Sequence, residues 1–153
     1  MRDVTFTSRD VAEHTKPHPG WVVISITDPR QPLAKIQEGW HAVLRVQFFD
    51  TGVPMTNPIA PLIMEKYPPI TPATAEKIAM FILQHQDKNF LVHCEAGISR
   101  SAGVAMAIHD TVGHPLRIMD RYDFMNSYVH QLVYCALEVI ASPPCVKYAD
   151  ECD

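Results

Sequence analysis

The order of apolar and polar positions divides the chain into strand-like and helix-like segments. Residues 21–26, WVVISI, form a β-branched apolar run that stops at the turn signal Asp28-Pro29, the pattern of a buried strand. Residues 42–49, AVLRVQFF, predict a second strand, closed by Asp50-Thr51-Gly52. Residues 54–72 then hold six of the thirteen prolines. Each proline removes an N–H donor, so this stretch predicts a long loop with no helix interior. Thr71-Pro72 opens a helix, with a hydroxyl at the cap and proline at the first helical position. Its apolar face is Ala75, Ile78, Phe81 and Ile82, at steps of three and four. Asp87-Lys88-Asn89 ends that helix, and residues 90–93, FLVH, predict a short buried strand. After a tight loop, residues 100–112 read as an alanine-rich helix stopped by Gly113 and Pro115. A last helix over residues 127–141 puts Val129, Leu132, Val133, Ala136, Leu137 and Ile140 on one face, and Pro143-Pro144 stops it. Strands alternating with helices predict an α/β fold with a central, largely parallel sheet of about four to five strands flanked by helices.

Composition narrows the class. At 153 residues the chain is the size of one domain. With 47% apolar and 20% charged residues it has the make-up of an ordinary globule. The net charge of −4 does not advertise nucleic acid or an anionic membrane surface. The longest apolar run, residues 102–108, is far short of the ~20 residues a membrane helix needs. The N-terminal residues MRDVTFTSRDVAEH have no apolar core, so no secretory signal is expected. The four cysteines, Cys94, Cys135, Cys145 and Cys152, show neither zinc-type pairing nor a disulfide framework. A reducing, cytoplasmic location is therefore expected, with Cys135 packed in its helix and Cys145 and Cys152 as tail thiols. The eight histidines have no spacing suited to a metal site.

The chemistry concentrates in residues 93–101, HCEAGISRS. Cys94 stands where a buried strand ends, and Arg100 where a helix begins. The five residues between them, Glu95, Ala96, Gly97, Ile98 and Ser99, suffice to curl the backbone into a cradle. Inward-pointing N–H groups at the positive end of a helix dipole bind an anion. Arg100 adds a planar fork suited to two phosphate oxygens. The same field favours a thiolate at Cys94, and a nucleophilic sulfur beneath a bound phosphate is a device for phosphoryl transfer.

This string resembles the His-Cys-x5-Arg-Ser/Thr signature of the cysteine-dependent protein tyrosine and dual-specificity phosphatases. By average composition it would arise by chance in a chain this long on the order of once in 10⁵. The likeness is tight over residues 90–108 and topological over about 20–140, and is greatest to small bacterial or phage-type members with dual-specificity-like topology. A mid-chain cysteine separates it from the low-molecular-weight phosphatases, whose loop lies near the N-terminus. The resemblance implies one phosphatase domain over residues 1–153, with 1–20 and 142–153 peripheral. It implies Cys94 as nucleophile through a phosphocysteine intermediate, and Arg100 as ligand of the phosphate and transition state. Ser101 would donate a hydrogen bond to the departing sulfur, and His93 would orient the loop. The N–H groups of residues 95–100 would form the cradle, and no metal or other cofactor would be needed.

A leaving ester oxygen needs a proton, usually from a carboxylic acid within reach. In an α/β sheet the site lies beyond the carboxyl ends of the strands. Asp87 precedes its strand and so sits at the opposite edge, roughly 15 Å off. Asp50 follows a strand and reaches the correct edge, as the acid does in the family. Its 44-position separation from Cys94 exceeds that of compact dual-specificity members, which an insertion around residues 58–69 would explain. Asp28 is the alternative acid. Glu65-Lys66-Tyr67, Arg117, Arg121 and Asn126 are candidates for the rim, with ordinary surface or capping roles as the alternative.

The expected function is hydrolysis of phosphotyrosine, with or without phosphoserine and phosphothreonine, in a phosphorylated protein or peptide. The alternatives are a phosphoinositide or RNA 5′-phosphatase on the same loop, or a pseudophosphatase that only binds phosphate. Multiply phosphorylated substrates usually need extra cations, and the loop offers none beside Arg100. The sequence leaves the oligomeric state open.

Overall fold

A computed structural model describes residues 2–52, 58–117 and 124–142. The elements in chain order are β1 (Val4–Ser8), α1 (Arg9–His14), β2 (Trp21–Thr27), β3 (Ala42–Gln47) and α2 (Ala60–Lys66). There follow α3 (Pro72–Gln84), β4 (Asn89–Cys94), α4 (Arg100–Val112), β5 (Leu116–Arg117) and α5 (Ser127–Ala141). The strands make one five-stranded sheet, all parallel, in the order β3-β2-β4-β1-β5. This is the α/β, largely parallel architecture that the alternating pattern predicts. No helix among the described residues is long and apolar enough to cross a membrane.

Period-two alternation sorts the sheet's two faces. Val4 and Phe6 of β1, Val22, Ile24 and Ile26 of β2, and Phe90, Val92 and Cys94 of β4 join one core with α3, α4 and α5. The predicted face of α3 is buried in full, and the Thr71 hydroxyl caps it by accepting from the Thr74 N–H at 3.2 Å. Each fully buried isoleucine there, such as Ile78 or Ile82, contributes about 1.5–3 kcal/mol. On α5 the predicted face is buried at Val129, Val133 and Leu137, while Ile140 in the last turn is exposed. A crossover that moves leftward, from β1 past β4 to β2, puts α1 on the sheet's opposite face. There Val11 shares a cavity lining with Thr5, Thr7 and Leu91.

Four expectations are corrected. Cys135, expected to pack in its helix, is exposed, because it falls two positions after the buried Val133 and so on the far side of α5. Residues 1–20, read as peripheral, contain β1, which lies inside the sheet between β4 and β5. The sequence conceals this because threonine occupies every second position of a five-residue strand, and the pairing partner is distant. The proline-rich stretch holds helix α2, because Pro61 falls in its first turn, where the missing N–H has no intrahelical partner anyway. Strand β3 stops at Gln47, two residues early, as the Phe49 N–H turns away to the Pro68 carbonyl at 3.2 Å. Arg121, Pro143, Pro144, Cys145 and Cys152 lie outside the described residues.

Parallel register fixes what meets at the carboxyl edge. Ser8 aligns with Cys94, Ser25 with His93, and Thr27 with Gln47. The residues that follow β1, β2, β3 and β4 therefore emerge together, which brings Arg9, Asp28, Asp50 and the 95–99 loop to one edge.

Candidate active site

Cys94 is the last residue of β4 and is 2% exposed. Its Sγ lies 3.1 Å from the Ser101 Oγ and receives the Gly97 N–H at 3.2 Å. The Gly97 N–H donates to the sulfur, and between sulfur and the Ser101 hydroxyl either atom can be the donor. Ser101 is fully buried in the first turn of α4, so its hydroxyl has a fixed direction.

The loop's shape depends on its glycine. Gly97 has φ +76°, a left-handed conformation that side chains disfavour. A Cβ there would stand 2.4 Å from the Ser8 nitrogen and the Thr7 carbonyl carbon. The loop thus rests directly on the backbone of β1. Glu95 fastens the same corner, its carbonyl accepting the Arg9 N–H at 3.2 Å and its carboxylate the Arg9 Nη1 at 3.0 Å. Arg9 also bonds Glu13 and the carbonyls of Pro32 and Leu33, so its cation is fully engaged. Of the other loop residues, Ala96 and Ile98 are exposed and Ser99 is half-buried.

Ser99 holds the cap position of α4, yet its hydroxyl makes no cap bond. It donates instead to Asp50 Oδ1 at 2.7 Å. The first N–H groups of α4 are therefore left without the side-chain acceptor that a cap serine normally supplies, the condition under which a helix start accepts an anion.

Asp50 and Asp28 have distinct partners. Asp50 Oδ1 also accepts the Asn126 Nδ2 at 2.8 Å. Asp28 Oδ1 accepts from Arg100 Nη1 at 2.7 Å, and the same nitrogen donates to the Phe48 carbonyl at 2.7 Å. Arg100 is 5% exposed, and its buried Nε has no hydrogen-bond partner among the described residues. Asp87 precedes β4, at the far edge, and pairs with Lys88.

His93 is fully buried behind the loop. Its Nδ1 lies 3.2 Å from the Cys94 carbonyl, which can only accept, so Nδ1 carries the proton. Nε2 then accepts from the Ser25 hydroxyl at 2.6 Å. Burial pushes the imidazole below its ordinary pKa and keeps it neutral. Among the described residues, no group of three or more His, Cys, Asp or Glu is placed to hold a metal ion.

The structure thus gathers Cys94, Ser99, Arg100, Ser101, Asp50 and Asp28 at one edge and leaves Asp87 away from it. Arg117 pairs with Asp3 at 3.1 Å. Arg9 and the side-chain link of Asn126 to Asp50 are the residues and contacts that sequence reasoning missed. Asn126-Ser127 does read as a helix cap, but nothing local shows where its amide nitrogen points.

No family model matches the chain, and no curated protein matches it. Among solved structures the chain is similar to the human tyrosine phosphatase-like serine/threonine/tyrosine-interacting protein, with 24% identity and a TM-score of 0.36. The match covers 86% of this chain and 81% of that one.

Proposed function

We propose that this protein is a cysteine-dependent phosphomonoester hydrolase acting on phosphotyrosine in protein, with or without phosphoserine and phosphothreonine. The observation that carries the reading is the Cys94 sulfur held between the Ser101 hydroxyl and the Gly97 N–H at the start of α4. The phosphate sits in the cradle of residues 95–100, its charge met by loop N–H groups, the helix dipole and Arg100. The Cys94 thiolate attacks phosphorus; the S–P bond forms as the bond to the phenolic oxygen breaks. Asp50 gives that oxygen its proton. Water then attacks the phosphocysteine, Asp50 takes up a water proton, and the S–P bond breaks to release phosphate. Ser101 steadies the sulfur as its charge returns. No step calls for a metal or cofactor.

A monophosphate is the better fit than a multiply phosphorylated substrate, because Arg9, a further cation at this edge among the described residues, is consumed by Glu95, Glu13 and two carbonyls. A free thiol at the centre of the chemistry belongs in a reducing compartment, so a cytoplasmic location is part of the proposal.

The test is a panel of phosphotyrosine, phosphoserine, phosphoinositide and RNA 5′-phosphate substrates, with wild type and Cys94→Ser in parallel and chelator present. The expected result is chelator-resistant release of phosphate from phosphotyrosine, abolished in Cys94→Ser while vanadate still binds. Turnover by Cys94→Ser equal to wild type, or preference for an inositide or RNA phosphate, would overturn the mechanism or the substrate class respectively. Vanadate binding without turnover of any substrate by wild type would leave a phosphate-binding protein and no enzyme.

A further inference from the structure

Asn126 has every polar atom of its side chain committed, in two directions. Its Oδ1 caps α5, accepting the N–H groups of Tyr128 and Val129, both at 3.1 Å. Its Nδ2 reaches the other way, to Asp50 Oδ1 at 2.8 Å and the Thr51 carbonyl at 3.5 Å. Its backbone N–H donates to the Ser99 carbonyl at 3.1 Å. The residue is 9% exposed. Close helix packing makes the arrangement possible: a Cβ on Gly103 of α4 would stand 2.8 Å from the Asn126 carbonyl. One side chain therefore ties the start of α5 to the phosphate loop and to the carboxylate after β3.

The two donors on Asp50 converge on one oxygen. Ser99 Oγ at 2.7 Å and Asn126 Nδ2 at 2.8 Å both point at Oδ1. A carboxyl oxygen has two lone pairs, so both on Oδ1 are occupied and a proton on the group has to reside on Oδ2. Capping alone does not require this. A serine or aspartate would cap α5 equally well, but aspartate has no donor and serine's one short hydroxyl lacks the reach, whereas the amide carries its acceptor and its donor on separate atoms pointing apart.

We infer that Asn126 is a positioning residue for the proton donor: with Ser99 it grips Oδ1 of Asp50 and so presents Oδ2 to the leaving oxygen. The inference rests on the proposed phosphatase reading and on Asp50 as its acid. Its energetic content is orientation, since a donor free to rotate transfers its proton less often from the reactive geometry.

Asn126→Ser tests this, because serine keeps an N-cap oxygen but loses the reach to Asp50. Asn126→Asp is the second variant: it keeps the cap and turns a carboxylate toward Asp50. For each, kcat is measured on a phosphotyrosine peptide and on an aryl phosphate with an acidic phenol, which departs without a proton. Vanadate affinity is measured alongside, to show that the loop is intact. Asn126→Ser should slow the peptide roughly tenfold, part of the 10²–10⁴ that a placed acid supplies, and the activated substrate by less than about twofold. Asn126→Asp should show the same split, more strongly. In an Asp50→Asn background neither change should slow the peptide further. Equal losses on both substrates, or a full loss persisting in the Asp50→Asn background, would refute the inference and leave Asn126 a cap. If Asp50→Asn itself shows no leaving-group dependence, the acid assignment fails; if Cys94→Ser retains turnover, the phosphatase reading fails. Each failure is thus separately visible.

Discussion

Replacing Asp28 with asparagine separates the two carboxylates that follow β2 and β3. The change preserves shape and leaves an oxygen that can still accept from Arg100 Nη1, but it removes the negative charge 2.7 Å from that nitrogen. Stripping one partner from a fully buried pair costs about 3–5 kcal/mol. Here the Arg100 side chain is 6% exposed but that of Asp28 is 35% exposed, so water screens the pair from one side. The retained hydrogen bond and the Phe48 carbonyl lower the loss further. An effect of about 1–2 kcal/mol remains, after discounting for that exposure. Urea unfolding should register it as a lower midpoint with an unchanged slope. A separate effect on catalysis follows from the looser hold on Arg100, and a misplaced guanidinium that weakens transition-state binding by about 1–2 kcal/mol lowers kcat/KM roughly 5- to 30-fold. That loss should be equal for a phosphotyrosine peptide and an activated aryl phosphate, because both place the same phosphoryl group against Arg100. If the loss falls on the peptide and spares the activated substrate, Asp28 is the proton donor and the assignment of Asp50 is wrong.

Asp50→Asn should show the opposite signature, slowing the peptide by roughly 10²- to 10⁴-fold while changing the activated substrate far less; steady-state kinetics on the two substrates checks it. Gly97→Ala forces a left-handed conformation costing about 1–2 kcal/mol and drives a Cβ into the backbone of Thr7 and Ser8. It should abolish vanadate binding in titration calorimetry, and wild-type affinity in this variant would mean that the loop does not depend on that contact. His93 gives a pH dependence whose sign follows from burial. Its folded pKa lies below the ordinary value near 6.5, so the unfolded chain takes up a proton that the folded protein refuses as pH falls through that value. Its contribution is complete above the unfolded pKa and is lost below it. Urea stability should therefore fall from about pH 7.5 to about pH 5.5, and fall less in His93→Gln; identical slopes would assign the effect to other groups.

The sequence made the interior helices legible because each states its own period. Thr71-Pro72 marks the start of α3, and Ala75, Ile78, Phe81 and Ile82 mark its buried side. The 93–101 string was legible because its cysteine, glycine-bearing loop and arginine are contiguous, so one strand–loop–helix turn assembles them without tertiary information. What escaped depends on distant partners. The link from Arg9 to Glu95 spans 86 positions, that from Arg100 to Asp28 spans 72, and that from Asn126 to Asp50 spans 76. Strand β1 has no strong signal of its own and acquires its place only by pairing with β4 and β5. Helix α2 escaped for a local reason, since proline breaks a helix interior but fits a first turn. The choice between Asp50 and Asp28 was also beyond the pattern, because both follow strands and reach the same edge. Their hydrogen-bond partners differ, Arg100 for Asp28 and Ser99 with Asn126 for Asp50, and the proposed roles rest on that difference.

In the proposed reaction phosphorus passes through the Cys94 sulfur. Rapid acid quench of wild-type protein with a phosphotyrosine peptide, followed by peptide mass spectrometry, tests it most directly. A transient phosphoryl adduct is expected on the peptide containing Cys94, accumulating in Asp50→Asn if loss of the base slows its hydrolysis, and absent from Cys94→Ser. Phosphate release at full rate with no adduct on Cys94, or with the adduct on another residue, would contradict it.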